Sequence, residues 1–263
     1  YALPSEFEEG TPYPSVVNFK TFETVYSIRD YGNSVEVTED CLEDRERLGS
    51  KFDEMSNLAK GAEIQEVKAA FQILVGGFST AATSNGISIH RYNDAALFGS
   101  SQSRADGGSS QSNTSTITLT ETNLETNRLA LVKQLTDNGL PILDMGMLTL
   151  VVPDDLEKNA VIFTDSEQRP SGQNNDLNFY RGRIGVLSSR WLDSANGGSA
   201  TAWYLVAKLP GMESPLCVYR RGGPKFHERT PDTRTGNQVF AMKNRFAVGY
   251  SEWKGTFGST GAG

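Results

Sequence analysis

The run Leu148-Thr149-Leu150-Val151-Val152-Pro153-Asp154-Asp155-Leu156-Glu157-Lys158-Asn159-Ala160 decides how this chain is read. Five largely apolar residues stop at a proline, and a helix start follows. Proline suits that place because its missing N–H would be unpaired there anyway. Asp154, Asp155 and Glu157 oppose the helix dipole in the first turn. Upstream, Asn138-Gly139 is a helix stop. Downstream comes a polar loop ending Asn174-Asn175-Asp176-Leu177-Asn178. A Gly-flanked strand, Gly182-Arg183-Ile184-Gly185-Val186-Leu187, and an apolar strand beginning Ala202-Trp203-Tyr204-Leu205-Val206 complete the segment.

Working towards the N-terminus, residues 99–116 are rich in Gly and Ser and read as a mobile loop. Asn113-Thr114-Ser115 fits a glycosylation sequon, but no secretory signal accompanies it. A helix follows the loop, with Thr122 and Glu125 as a capping box and Leu124, Leu131, Val132 and Leu135 on one face. Further upstream, Thr38 is an N-cap, with Glu39 and Asp40 in the first turn. A long apolar-striped helix runs from there to about Val75, with Gly61 as a candidate break and Gly76-Gly77 as its end. Before it, Val16 to Ile28 is β-branched and aromatic, Tyr31-Gly32-Asn33-Ser34 reads as a turn, and Val35-Glu36-Val37 resumes extended structure. This predicts a two-stranded hairpin with too little local cover to be stable alone. Residues 1–14 carry Pro4, Pro12 and Pro14 and read as an extended arm.

Towards the C-terminus the chain is β-rich. Leu216-Cys217-Val218-Tyr219 is a short strand, residues 222–237 a polar loop, and residues 238–242 and 245–250 two further strands. Residues 258–263 form a small-residue tail. One long helix, one moderate helix and many strands without βαβ alternation argue an α+β fold.

Composition narrows the function. With 263 residues, 37% hydrophobic and 22% charged, the chain can bury a real core. A net charge of −7 argues against a protein whose task is gripping nucleic acid. Cys41 and Cys217 stand far apart and read as separate thiols. No apolar run is long enough to span a membrane.

Sites for chemistry are sparse. His90 and His227 are the two histidines, and neither accompanies a nucleophile elbow. Helix-start electrostatics account for Asp154, Asp155 and Glu157 without a metal, and turn preference accounts for Asn174-Asn175-Asp176. Arg220-Arg221-Gly222-Gly223 is a weak phosphate signal and reads better as a subunit contact or a solvated turn. No catalytic residue, cofactor site or metal site is assigned.

Taken in order, these strings resemble a tailed-phage major capsid protein. Tyr31-Gly32, then Val35-Glu36-Val37-Thr38-Glu39-Asp40 and Asp44 before a long helix, resemble the junction of extended loop and spine helix in those subunits. Ala96-Leu97-Phe98-Gly99-Ser100-Ser101 is similar to the same region of Mu-like major head subunits. Leu150-Val151-Val152-Pro153, Leu156-Glu157, Ala160, Asn178, Gly185-Val186, Trp203, Arg245-Phe246-Ala247-Val248-Gly249 and Trp253-Lys254-Gly255 continue in the same order.

The resemblance implies the Hong Kong 97 fold. Residues 1–37 would be the N-terminal arm and extended loop. Residues 38–85 would hold the spine helix and the first part of the peripheral domain, and 86–212 the axial domain. Residues 213–263 would return through the peripheral domain and end in the tail. Subunit contacts would fall on Phe19, Lys20, Phe22, Tyr26 and Arg29, and on Arg220, Arg221, Arg229 and Arg234. The partners implied are copies of the chain as pentamers and hexamers, a scaffolding segment, a maturation protease, and portal and decoration proteins. The shell would enclose double-stranded DNA without reading its sequence, and would assemble in the host cytoplasm into the virion. Starting at Tyr1 rather than Met fits proteolytic processing and equally a trimmed start. Two other readings stand beside it. One is an encapsulin-like compartment with the same fold. The other is a monomeric hydrolase that would depend on His90 or His227.

Overall fold

The computed structural model describes residues 23–43, 48–142, 146–169, 176–209, 215–227, 230–231 and 235–262. In chain order the elements are β1 (Arg29–Val37), α1 (Glu39–Glu43), α2 (Leu48–Val75), β2 (Thr83–Ser84), β3 (Ile87–His90), β4 (Thr114–Ser115) and α3 (Glu121–Val132). There follow β5 (Leu148–Val152), α4 (Asp154–Asp165), β6 (Ile184–Ser188), β7 (Trp203–Ala207), β8 (Leu216–Arg220), β9 (Lys225–Phe226), β10 (Thr230–Pro231), β11 (Gln238–Tyr250) and β12 (Thr256–Ser259).

Strand β11 organises the first sheet. Its 13 residues are long enough to serve several partners at once. Along one edge it pairs antiparallel with all of β1, from Arg29↔Phe246 to Val37↔Gln238, and then parallel with β3 at Val248 and Gly249. Along the other edge it meets β8, β9 and β10 in turn. Alternate residues Met242, Asn244 and Phe246 are buried, and α2 packs over that face. Ala69, Ile73 and Leu74 of α2 join Ile87, Ile89, Phe246 and Val248 in one core.

The second sheet has the order β4-β12-β7-β5-β6. Its central strands β5 and β7 are largely apolar on both faces because each face serves a different core. Leu148, Leu150, Val152, Trp203 and Leu205 pack with Leu124 and Leu131 of α3 and Ala160 of α4. Val151 and Tyr204 point the other way, into the core of the first sheet. Helix α4 bridges the parallel pair β5–β6, so the mixed fold contains one βαβ unit that the sequence pattern did not reveal.

Several expectations are corrected. Tyr31, Gly32, Asn33 and Ser34 do not turn; they lie inside β1, which pairs along its whole length with β11, while residues 16–22 of the expected first hairpin strand lie outside the described residues. Gly32 is needed for close approach, since a Cβ there would sit 2.8 Å from the carbonyl oxygen of Met242. Helix α2 runs unbroken through Gly61. The two C-terminal strands are one strand, and the tail supplies the buried strand β12. The 222–237 segment contributes β9 and β10 to the ladder on β11.

Around α3 the cap is Thr120, whose side chain accepts from the Asn123 N–H, rather than Thr122, and the helix ends at Val132, before Asn138-Gly139. The Gly/Ser loop is tied down by fully buried Asn113, which donates to the Leu97 carbonyl at 2.7 Å and accepts from the Gly99 N–H at 2.9 Å. Burial of that amide also removes the sequon from consideration. Other expectations hold: the Cys41 N–H donates to the Thr38 hydroxyl at 3.3 Å, and neither cysteine forms a disulfide.

Candidate inter-subunit surfaces

Four of the residues expected at subunit contacts converge at one end of the first sheet. Arg29 and Arg220 both lie opposite Phe246, on its two flanking strands. Arg220 reaches Glu66 on α2 at 2.5 Å, and Asn244 donates to the same carboxylate at 2.9 Å. Arg221 follows on the opposite face, exposed, with its N–H on the Arg245 carbonyl. Tyr26 sets its ring edge-on against Tyr219, with centroids 4.6 Å apart, and also packs on His90. Phe19, Lys20, Phe22, Arg229 and Arg234 lie outside the described residues.

The outer face of β1–β11 is held by charge. Asp30 accepts from Lys243 at 2.8 Å and from Arg245 at 2.6 Å. Those two bonds, Lys243 first, hold the Asp30 carboxyl below its ordinary range. On the inner face Tyr31 stacks on Phe246 at 4.5 Å, and burial pushes its phenol up.

A second surface was missed in the sequence. Leu177 is 87% exposed, Phe179 53% and Met147 58%. The guanidinium of Arg183 lies 4.5 Å from the Phe179 ring centre and that of Arg128 5.5 Å. Met147, Phe179, Arg128 and Arg183 border a depression of ≈ 360 Å³. Behind them Glu125 accepts from Nε and Nη2 of Arg128 and from the Tyr180 hydroxyl, and the Arg128 bonds hold its carboxyl low. Asn178 shapes the approach by donating to the Phe163 carbonyl at the end of α4. The only cue in the sequence was the Phe-Tyr-Arg run between an Asn-rich loop and a strand.

The candidates for catalysis do not assemble. His90 is in register with Gly249, whereas the His227 N–H bonds the Ala241 carbonyl. Eight residues of extended β11 separate those levels, roughly 27 Å. Asp154, Asp155 and Glu157 are solvated at the start of α4. Among the described residues no group of carboxylates, histidines and cysteines is placed to hold a metal.

A family-level match spans residues 21–258, and the family is described as phage capsid protein. The chain belongs to that family. This capsid protein is therefore a structural rather than a catalytic subunit, a major capsid protein that self-assembles into the shell of the virion. No curated protein sequence matches it significantly.

Solved structures agree on the fold. A chain from Mycobacterium phage Patience superposes with a TM-score of 0.59 at 12% identity, covering 98% of this capsid protein and 76% of that chain. The capsid of cyanophage P-SCSP1u gives 0.55 at 12% identity, covering 98% and 80%. The acid-stable capsid of Helicobacter pylori bacteriophage KHP30 gives 0.52 at 8% identity, covering 98% and 81%. The fold is the α+β Hong Kong 97 type.

Proposed function

We propose that this chain is the major head protein of a tailed phage, forming pentamers and hexamers of an icosahedral shell around double-stranded DNA. The observation that carries this reading is the family match across residues 21–258, joined to a first sheet that keeps cationic and aromatic residues at one exposed end. Kinship with Mu-like major head subunits is part of this reading, supported by the ordered sequence strings that resemble theirs.

In the proposed map residues 1–37 form the arm and extended loop, and 38–85 the spine helix with the first part of the peripheral domain. Residues 86–212 form the axial domain, and 213–263 the peripheral return and tail. Phe19, Lys20, Phe22, Tyr26, Arg29, Arg220, Arg221, Arg229 and Arg234 contact neighbouring copies. A scaffolding segment, a maturation protease, and portal and decoration proteins are the further partners, and assembly takes place in the host cytoplasm. An acidic chain, net −7, suits a wall that must enclose DNA without adsorbing it.

Purification of native particles followed by identification of their contents tests this. Portal and packaging proteins with double-stranded DNA are the expected contents. A cargo enzyme without DNA would replace the phage head with an encapsulin-like compartment.

A further inference from the structure

The outer face of the first sheet holds an arrangement that an isolated sheet would avoid. Arg221 lies beside Arg245, its N–H on the Arg245 carbonyl at 2.9 Å. Two residues along β11, Lys225 lies directly opposite Lys243. Opposed residues of an antiparallel pair project to the same face, and like charges in that relation destabilise a sheet. Four cations therefore form a two-by-two grid, spaced about 5 Å across the strands and about 7 Å along them.

Among the described residues only Asp30 reaches this grid, and it already bonds both Lys243 and Arg245. Arg221 and Lys225 are exposed and form no ion pair among the described residues. Beside the grid, Asp30, His227 and Lys243 border a shallow depression of ≈ 380 Å³. An anionic partner would turn two repulsive pairs into a favourable site.

The chain itself carries such a partner. Glu6, Glu8 and Glu9 occur within four residues, and no Lys or Arg precedes Lys20. In extended form Glu6 and Glu8 would project to one side about 7 Å apart, the spacing of the cations along β11. Thirteen residues, or fourteen steps of the chain, separate Glu9 from Glu23, where the described chain begins. That length spans up to ~48 Å, enough to reach a neighbouring subunit. Duplex DNA fits less well, because four cations in a chain of net charge −7 are far from the long basic stripe that phosphate binding needs.

We propose that the grid of Arg221, Arg245, Lys225 and Lys243 is the docking site for the acidic stretch Glu6-Phe7-Glu8-Glu9 of a second copy of this chain. This inference rests on the shell reading and names one of its contacts.

Charge-swap complementation in the full chain tests it. One variant carries Arg221→Glu and Lys225→Glu; the other carries Glu6→Lys, Glu8→Lys and Glu9→Lys. Both should melt no lower than wild type, since neither removes an intramolecular ion pair seen among the described residues. Each alone should lose about tenfold or more of its assembled material, as expected for like charges brought face to face. Mixed before assembly, the two should recover it in part, because the acidic arm of the first variant then meets the intact cationic grid of the second in trans, and the basic arm of the second meets the two carboxylates introduced in the first.

Normal assembly of either variant alone overturns the inference. So does recovery only when all five substitutions share one chain, which would place the arm on its own subunit. Loss of duplex DNA retention with unchanged assembly would assign the grid to DNA instead. A wild-type chain that never assembles would sink the shell reading, and this contact with it.

Discussion

Glu66 on α2 and Arg220 on β8 meet at 2.5 Å, and the two ends of that pair are unequal. The Glu66 side chain is 9% exposed and also accepts from Asn244, which is itself buried; the Arg220 side chain is 62% exposed. Glu66→Ala should therefore cost about 2 kcal/mol, because it strands the Asn244 amide as well as the guanidinium. Arg220→Ala should cost under about 1 kcal/mol, as solvent replaces the lost partner. Urea melts of the two variants check the order. Equal losses would mean that Asn244 contributes nothing to the clamp.

Lys254 is a fully buried cation, with its ammonium 3.1 Å from both Asp137 oxygens and 2.9 Å from Glu252. Lys254→Met keeps much of the volume but leaves two carboxylates facing each other. A loss of about 3–5 kcal/mol is expected. Lys254→Met combined with Asp137→Asn and Glu252→Gln should recover much of it, and chemical denaturation of the three-substitution variant measures how much.

Gly61 sits inside α2 with open space where a Cβ would be. Gly61→Ala should raise stability by up to about 1 kcal/mol, through helix propensity alone. Gly32→Ala should do the reverse, because its Cβ would meet the Met242 carbonyl oxygen at 2.8 Å. Thermal melts should move in opposite directions for the two substitutions.

These glycines show where sequence reasoning succeeded and where it did not. The apolar strings Leu148–Val152 and Trp203–Ala207 were legible because both faces of those strands are buried, so hydrophobicity alone marked them. The Pro153 boundary was legible for a chemical reason, the missing N–H at a helix start. Gly32 and Gly61 were misread as a turn and a break. A glycine required for close packing and one merely tolerated in a helix look the same in a single sequence. Strand pairing was the larger loss: β1 and β11 lie about two hundred residues apart, and nothing local records that register. The exposed Phe179 surface escaped for the same reason, since its two arginines come from α3 and from the turn just before β6.

Acid should loosen two contacts together. The Asp30 and Glu125 carboxyls sit below their ordinary values of 3.8 and 4.5 in the folded chain, so they bind fewer protons there than when unfolded. Their contribution is complete above the ordinary values and is lost as pH falls through the lower, folded ones. An Asp30→Asn, Glu125→Gln variant should therefore differ most from wild type near neutral pH. The gap in urea midpoint should begin to narrow as the pH falls through the ordinary values of 4.5 and 3.8 and go on narrowing below them. A gap that stayed constant over that range would contradict the assignment.

The central claim is that copies of this chain build a shell. Negative-stain electron microscopy of the expressed chain, with its mass measured in solution, tests that most directly. Closed shells or capsomer rings are the predicted result. A particle that remained a 28.7 kDa monomer, even with a scaffolding segment supplied at its N-terminus, would contradict it.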